Sequence, residues 1–201
     1  MNQIVTRKEE TRRRILEVAS RLFLEKGVDG VGVDEIMREA GLTHGGFYVH
    51  FPSKEALIAE ACLCALEKTT KDWEGIAGKL EDDAVFEGRL QSYLAGDLVS
   101  GSPTCPMAIL GPDVARRGEK VQKAYTAKIR HLIDFITREM ESDRAHAILT
   151  LAALVGATSL AAQVGNDRPL AEEILKTARQ ELLKCRPTPK SKRKAKVEGE
   201  D

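Results

Sequence analysis

The amino-acid sequence predicts an all-α fold. Hydrophobic residues make up 42% of the 201 residues and aromatic residues only 4%, and alanine and leucine are abundant, a composition that favours helices packed on helices. Apolar residues also recur at helical spacing near the N-terminus. The third observation is that residues 33–54 have the pattern of two short helices joined by a sharp turn. The residues of the N-terminal apolar stripe are Ile15, Val18, Ala19, Leu22 and Phe23.

The first predicted helix begins near Arg7 and ends at Gly27. Thr6 and Glu9 have the capping-box spacing, in which the threonine hydroxyl accepts from an early backbone N–H and the glutamate reaches back to the cap residue. Because 31 basic and 31 acidic residues leave the chain without net charge, any attraction to nucleic acid must be local. Basic residues gather at this helix start, and they either contact phosphate or form a solvated helix face. They are Arg7, Lys8, Arg12, Arg13 and Arg14.

A helix-turn-helix is predicted within residues 33–54. Residues 33–40 form its first helix, Gly41 supplies the positive φ that ends that helix, and Thr43 is placed to cap the next. In the second helix Phe47 and Phe51 are four residues apart and share the face that anchors it in the core. The opposite face is free for contacts outside the subunit, and it contains Gly45, Tyr48 and Val49.

A dense set of positions within residues 10–60 matches one known family. The pattern resembles the TetR family of bacterial transcriptional regulators. The resemblance implies a three-helix helix-turn-helix domain at residues 1–53, joined by a long helix to a larger helical ligand-binding and dimerisation domain at residues 54–185. A basic tail at residues 186–201 is expected to be disordered. The matching positions are Leu22, Phe23, Gly27, residues 33–40, Gly41, Thr43, Gly45, Phe47, Tyr48, His50, Phe51, Lys54 and Leu57.

The resemblance also implies a function and a set of DNA-binding residues. The expected protein is a homodimeric repressor that binds a palindromic double-stranded DNA operator and is released by an unknown small-molecule or electrophile effector. The start of the recognition helix lies near base edges, and flanking donors hold phosphates. Family positions that usually contact phosphate are occupied by Tyr48, His50 and Lys54, and Val49 can meet a thymine methyl group. The complete predicted set is Arg12, Val33, Thr43, His44, Gly45, Gly46, Tyr48, Val49, His50 and Lys54.

The second half of the chain is predicted to carry the dimer contact. Ser53 caps a long helix that runs to about residue 76, and a later helix is expected to be interrupted near Gly111 and Pro112. The last two helices, about residues 145–184, are too apolar to cover one another, so a second subunit is expected on them. Residues that repeat every four positions there form a strip of small side chains. They are Ala153, Ala157, Ala161 and Gly165.

A membrane span and a secreted protein are both disfavoured by the sequence. Residues 147–166 lack charge over nearly the length of a span, but Thr150, Thr158, Ser159 and Gln163 interrupt them, so no membrane helix is predicted. The N-terminus has no signal-peptide pattern, and the four cysteines have no metal or disulfide spacing. A cytoplasmic protein without cofactor or metal is expected.

Cys105 is the cysteine whose position favours chemistry. It precedes Pro106 at a helix start, where unpaired backbone N–H groups and the helix dipole stabilise a thiolate. Some TetR-family regulators have a reactive cysteine in a similar context. Cys105 is therefore either an electrophile or redox sensor, and then the fastest of the four to alkylate, or a turn residue. Cys62 and Cys64 are expected to be packed.

No enzyme class fits the sequence. A phosphate-cradling glycine loop, a metal-ligand helix motif and a nucleophile elbow are all missing, and the four histidines are scattered at positions 44, 50, 131 and 146. The alternative to a regulator is an all-α small-molecule-binding or interaction protein that binds no operator. Binding to the DNA upstream of its own gene would separate the two functions.

Overall fold

A computed structural model describes residues 6–77, 82–94, 105–140 and 143–185, and all regular structure in them is helical. The all-α prediction is therefore confirmed. A 3₁₀ turn, His44–Gly46, precedes the third helix. The α-helices are α1 (Arg7–Lys26), α2 (Val33–Glu39), α3 (Phe47–His50), α4 (Lys54–Ala77), α5 (Asp82–Leu94), α6 (Pro106–Ala115), α7 (Glu119–Glu139), α8 (Arg144–Gln163) and α9 (Arg168–Lys184).

Helix α1 begins and ends as the sequence predicts. The backbone N–H of Glu9 donates to the Thr6 hydroxyl over 3.2 Å, and the Glu9 carboxylate accepts from the Thr6 backbone N–H over 2.8 Å, which completes the capping box. Gly27 ends the helix with a φ of 72°, and Gly41 follows α2 with a φ of 68°. Both backbone conformations favour glycine because a side chain would strain them.

Phe47 and Phe51 anchor the short α3 in the N-terminal core. Both side chains are fully buried, and their rings stack with centroids 5.8 Å apart. Ile36 and Met37 of α2 are buried in the same core, together with the apolar face of α1. Thr43 takes the cap position before the 3₁₀ turn, but its side chain makes no capping hydrogen bond, so the predicted cap is wrong. The 3₁₀ segment is a single short turn. The positive φ of Gly41 and the burial of Phe47 hold it in place without a side-chain cap.

The long helix α4 joins the N-terminal helices to the rest of the chain. The Ser53 hydroxyl accepts from the Ala56 backbone N–H over 3.1 Å, as the sequence predicts for a helix start. Leu57, Ile58 and Ala61 are buried, and the helix packs on α1, α5, α6 and α7. α4 therefore links the two predicted domains through its own core contacts.

The interruption predicted at Gly111 and Pro112 is wrong, because α6 runs unbroken from Pro106 to Ala115. Proline removes one intrahelical hydrogen bond and usually bends a helix. Here Pro112 is exposed, while Leu110 and Val114 are buried on the opposite side. Burial of that apolar side holds the helix together.

The apolar surface of the last two helices differs in detail from the predicted strip of small residues. Ala157 and Ala161 are buried within the subunit, at 7% and 2% exposure, because α8 packs on α5, α6, α7 and α9. The strip is therefore partly a contact inside the chain. An open groove of about 510 Å³ lies between α8 and α9, and Ala153 and Ala157 of the strip line part of it. Large apolar side chains exposed on α8 and α9 are Ile148, Leu149, Leu160 and Leu170.

Helix α8 is also long and apolar enough, by length and composition, to cross a membrane. It is the one such helix in the ranges that the structure describes. A core helix of a soluble protein passes the same test, and α8 has helices packed along it within this chain.

Candidate DNA interface

The recognition segment, residues 43–50, exposes one face and buries the other. Tyr48 and Val49, which are neighbours in the sequence, are 66% and 61% exposed. Thr43, His44 and Gly45 are also exposed. Phe47 between them is fully buried, and its ring meets that of Tyr48 edge to face at 5.2 Å. A rigid core residue thus supports an exposed polar and aromatic surface.

Packing within the subunit does not require glycine at positions 45 and 46 of the segment. A Cβ added at Gly45 would meet no atom within 4 Å, and one at Gly46 would lie an ordinary 3.6 Å from the Met37 side chain. Neither glycine has a positive φ. Glycine costs a helix about 1 kcal/mol relative to alanine. Their small size therefore serves no packing within the chain, and the surface above them is open to a partner.

His44 is held on two sides at the start of this surface. Its Nδ1 is hydrogen-bonded to the carboxylate of Asp34, which lies in the first turn of α2. Its ring also meets the Tyr48 ring edge to face, with centroids 6.3 Å apart. The sequence identified His44 but not Asp34, because ten residues separate them and only the turn between α2 and α3 brings them together.

His50 is more enclosed than the sequence indicated. Its Nδ1 is buried and has no hydrogen-bond partner among the described residues. Burial lowers the pKa of His50 from its ordinary value, and the positive charges of Lys8 and Arg12 lower it further. Both effects favour the neutral imidazole, which has one N–H that can donate. Lys8 and Arg12 bring positive charge to the same end of α3.

Arg12 takes part in contacts within the chain. Its guanidinium lies over the Phe51 ring at 4.5 Å from the centroid, and its Nη2 donates to the Glu60 carboxylate at 2.6 and 2.5 Å. These contacts join α1 to α4. Val33 is the first residue of α2 and Lys54 the first of α4, and both are half-buried. DNA contacts of these three residues stay predictions.

A second cluster surrounds Cys105, away from the recognition segment. The Cys105 side chain is only 1% exposed, and its Sγ lies 2.6 Å from the Tyr93 hydroxyl and accepts from the Ala108 backbone N–H at 3.3 Å. Cys185 is the exposed thiol, and the expected order of alkylation stays a prediction. The Tyr93 hydroxyl and the start of α6 cover the Cys105 thiol. Burial also raises the pKa of Cys62, to about 11.

Tyr125 of α7 belongs to this cluster. Its side chain is buried, and its hydroxyl has no hydrogen-bond partner in the described ranges. Burial raises the pKa of Tyr125, and the nearby Cys105 and Cys62 raise it further. An unpaired buried hydroxyl costs about 1–3 kcal/mol. Sequence reasoning missed both tyrosines because α5 and α7 reach the thiol only through the tertiary fold.

The far end of α6 contacts the N-terminal helices. Asp113 accepts from the Val28 backbone N–H at 3.3 Å, just beyond α1. Arg117 donates to the Asp29 carboxylate at 2.6 Å and to that of Glu55 at 3.4 Å. The Arg117 hydrogen bond lowers the pKa of Asp29 from its usual value. Cys105 and this polar cluster therefore lie at opposite ends of one helix.

Comparison with known proteins places the N-terminal helices in a family. Residues 15–61 match the family model of bacterial regulatory proteins of the tetR family. The HTH-type transcriptional regulator YerO of Bacillus subtilis (strain 168) is 39% identical over 74 residues, which are 35% of this chain and 26% of YerO. The match thus spans about a quarter of that relative.

A second relative matches over a longer range. The HTH-type transcriptional repressor NemR of Escherichia coli (strain K12) is 24% identical over 147 residues, which are 70% of this chain and 72% of NemR. The crystal structure of reduced E. coli NemR superposes with a TM-score of 0.74 at 20% identity, covering 90% of this chain and 99% of NemR. Helical architecture is therefore shared beyond the helix-turn-helix. Residues 15–61 therefore match the tetR family, and the rest of the chain shares the helical fold of NemR.

Proposed function

We propose that the protein is a homodimeric, ligand-responsive repressor that binds a palindromic operator. The exposed face of the recognition segment is the observation that carries this proposal. Tyr48 and Val49 project from a segment whose Phe47 is locked in the core. In a helix-turn-helix, this face enters the major groove while neighbouring donors hold phosphates. We expect it to act in the cytoplasm.

Phosphate contacts by Tyr48 and Lys54 provide the first test. Replacing both (Tyr48→Phe with Lys54→Ala) should weaken binding to all duplexes by about tenfold or more, because each subunit loses a hydrogen bond and a charge. The slope of log affinity against log salt should also become shallower. Affinity is measured by fluorescence anisotropy at several salt concentrations on a duplex selected from a random library by the wild type.

A matched control for this test is Lys123→Ala, which removes an exposed lysine of α7 that pairs with Glu119 at 2.8 Å. It should leave both affinity and salt slope unchanged. Equal salt slopes for the double variant and the wild type would remove Tyr48 and Lys54 from the DNA contacts. Absence of any enriched sequence would contradict operator binding itself and favour the all-α interaction protein.

The effector is proposed to act at Cys105. Tyr93 and Tyr125 place two phenol groups near a buried thiol, an arrangement that suits an electrophile with a carbonyl oxygen. The thiol adds to the activated C=C bond of such a compound, its proton ends on the neighbouring carbon, and a phenol O–H can donate to the carbonyl. The relative NemR, a repressor with a structure described as its reduced form, supports this choice.

Helix α6 provides a route from this thiol to DNA. A group added at Cys105 must displace the Tyr93 hydroxyl and the start of α6, because the thiol is fully enclosed. The helix is continuous, so its far end moves as well, where Asp113 and Arg117 hold residues 28–29 beside α2. An effector that favours the displaced state lowers the population that fits the operator.

Release by a maleimide tests this effector site. Wild-type protein should lose at least tenfold in operator affinity after Cys105 is modified, whereas Cys105→Ser should keep its affinity under the same treatment. Cys185→Ser is the matched control, since its thiol is exposed and should react first without releasing DNA. Intact-mass spectrometry gives the extent of modification at each time. Equal release in wild type and Cys105→Ser would contradict the role of Cys105 and favour a non-covalent effector.

A further inference from the structure

The pair of His44 and Asp34 stands out on the surface of the recognition segment. Both side chains are more than half exposed, at 53% and 80%. An exposed ion pair rarely contributes more than about 1 kcal/mol to stability. A carboxylate beside the residues that meet DNA also repels phosphate. Stability and general DNA affinity therefore give little reason for Asp34 to lie here.

The geometry indicates that Asp34 orients the His44 ring. Asp34 accepts from His44 Nδ1, and the Tyr48 ring lies against the imidazole at 6.3 Å between centroids. Two contacts fix the ring plane, so Nε2, on the opposite side of the ring, has a fixed direction. Among the described residues, the hydrogen bond of the His44 ring is made by Nδ1. A long flexible cation would have no comparable direction.

The protonation state of the His44 imidazole decides whether Nε2 donates or accepts a hydrogen bond. A neutral imidazole beside a carboxylate would present a net negative pair to DNA, whereas an imidazolium makes the pair neutral and turns Nε2–H into a donor. In the major groove, guanine offers N7 and O6 as acceptors. From these steps we propose that Asp34 is a positioning residue, which aims His44 Nε2–H at a guanine in the operator. The inference rests on the proposed function, because it requires the recognition segment to enter the major groove.

A double-mutant cycle on a selected duplex tests the role of Asp34. The variants are Asp34→Ala, His44→Ala and the double variant, and each single change should lower affinity by about tenfold, since the dimer uses the contact twice. The double variant should lose no more than either single one. A carboxylate without a positioning role would behave in the opposite way, because its removal relieves repulsion and should raise affinity in both backgrounds.

Glu35→Ala is the matched control. It removes a carboxylate from the same turn of α2, but Glu35 pairs with Lys26 over 2.6 Å and does not contact His44. Its effect on affinity should not depend on whether residue 44 is histidine or alanine. Thermal unfolding of every variant separates binding from stability. A loss in affinity that follows a loss in stability would overturn the proposal.

Modified bases identify the acceptor. Each guanine of the duplex is replaced in turn by 7-deazaguanine, which lacks N7, or by 2-aminopurine, which lacks O6. At one position per half-site, one replacement should weaken the wild type about tenfold and leave His44→Ala unaffected. If His44→Ala instead weakens all sequences equally and flattens the salt dependence, His44 contacts phosphate and the assignment to guanine is overturned. A wild type that enriches no duplex would contradict the proposed function and not the role of Asp34.

Discussion

Replacement of Phe47 by alanine is expected to lower the free energy of unfolding by about 3–5 kcal/mol, the usual cost of emptying a fully buried phenylalanine site. Phe47 is completely buried, stacks on Phe51 and supports the Tyr48 ring. The cavity would lie directly beneath the recognition segment, so operator binding should be lost as well. Chemical denaturation followed by circular dichroism measures the change.

Val49→Ala is the matched control for this prediction. Val49 lies two residues further along the same short helix, but 61% of it is exposed. Exposed substitutions usually change stability by less than about 0.5 kcal/mol. Val49→Ala should therefore keep the stability of the wild type and weaken binding only to duplexes with a thymine at the contacted position. Equal destabilisation by the two substitutions would contradict the division into a buried and a reading face.

Leu149→Glu is expected to dissociate the proposed homodimer and reduce operator affinity by at least 100-fold. Leu149, Ala153, Gly156 and Leu160 share one face of α8 at helical spacing, and the last three line the groove between α8 and α9. In a twofold dimer each substitution acts twice. Each copy loses about 1.5–3 kcal/mol of leucine burial and gains a charge that must be desolvated.

Sedimentation velocity at micromolar concentration measures this dissociation. Ala127→Glu, on an exposed position of α7, should remain dimeric and bind the operator normally. Ala161→Glu is a poor choice for the same purpose, because Ala161 is 2% exposed and the charge would be placed inside the subunit. A Leu149→Glu variant that sediments like the wild type would place the dimer contact on another surface.

Local patterns in the sequence were sufficient for much of the DNA-binding half. Spacing alone predicts features that depend on neighbours within a few residues. Examples are the capping box at Thr6, the positive φ of Gly27 and Gly41, and the shared face of Phe47 and Phe51. The family resemblance rests on the same residues. The long helix after Ser53 also follows from a local cap and apolar periodicity.

The predictions that failed concern packing between distant segments. Pro112 would end an isolated helix, but burial of Leu110 and Val114 keeps α6 intact. Spacing alone could not show that Ala161 is buried within the subunit while Ala153 lines the open groove, because small residues suit either a contact within the chain or one between chains. The sequence also could not show that the Tyr93 hydroxyl lies 2.6 Å from Cys105 Sγ, and the role of Cys105 stays a prediction.

The helical fold class, the capping box of α1, the Ser53 cap of α4 and the buried face of α3 could all be predicted from the sequence, since they follow from interactions along one helix. Which side chains meet across helices became visible in the three-dimensional fold. Asp34 reaches His44, Tyr93 reaches Cys105, and Asp113 reaches residue 28, 85 positions away. Such pairs depend on how helices are packed in three dimensions, and no spacing along the chain encodes that distance.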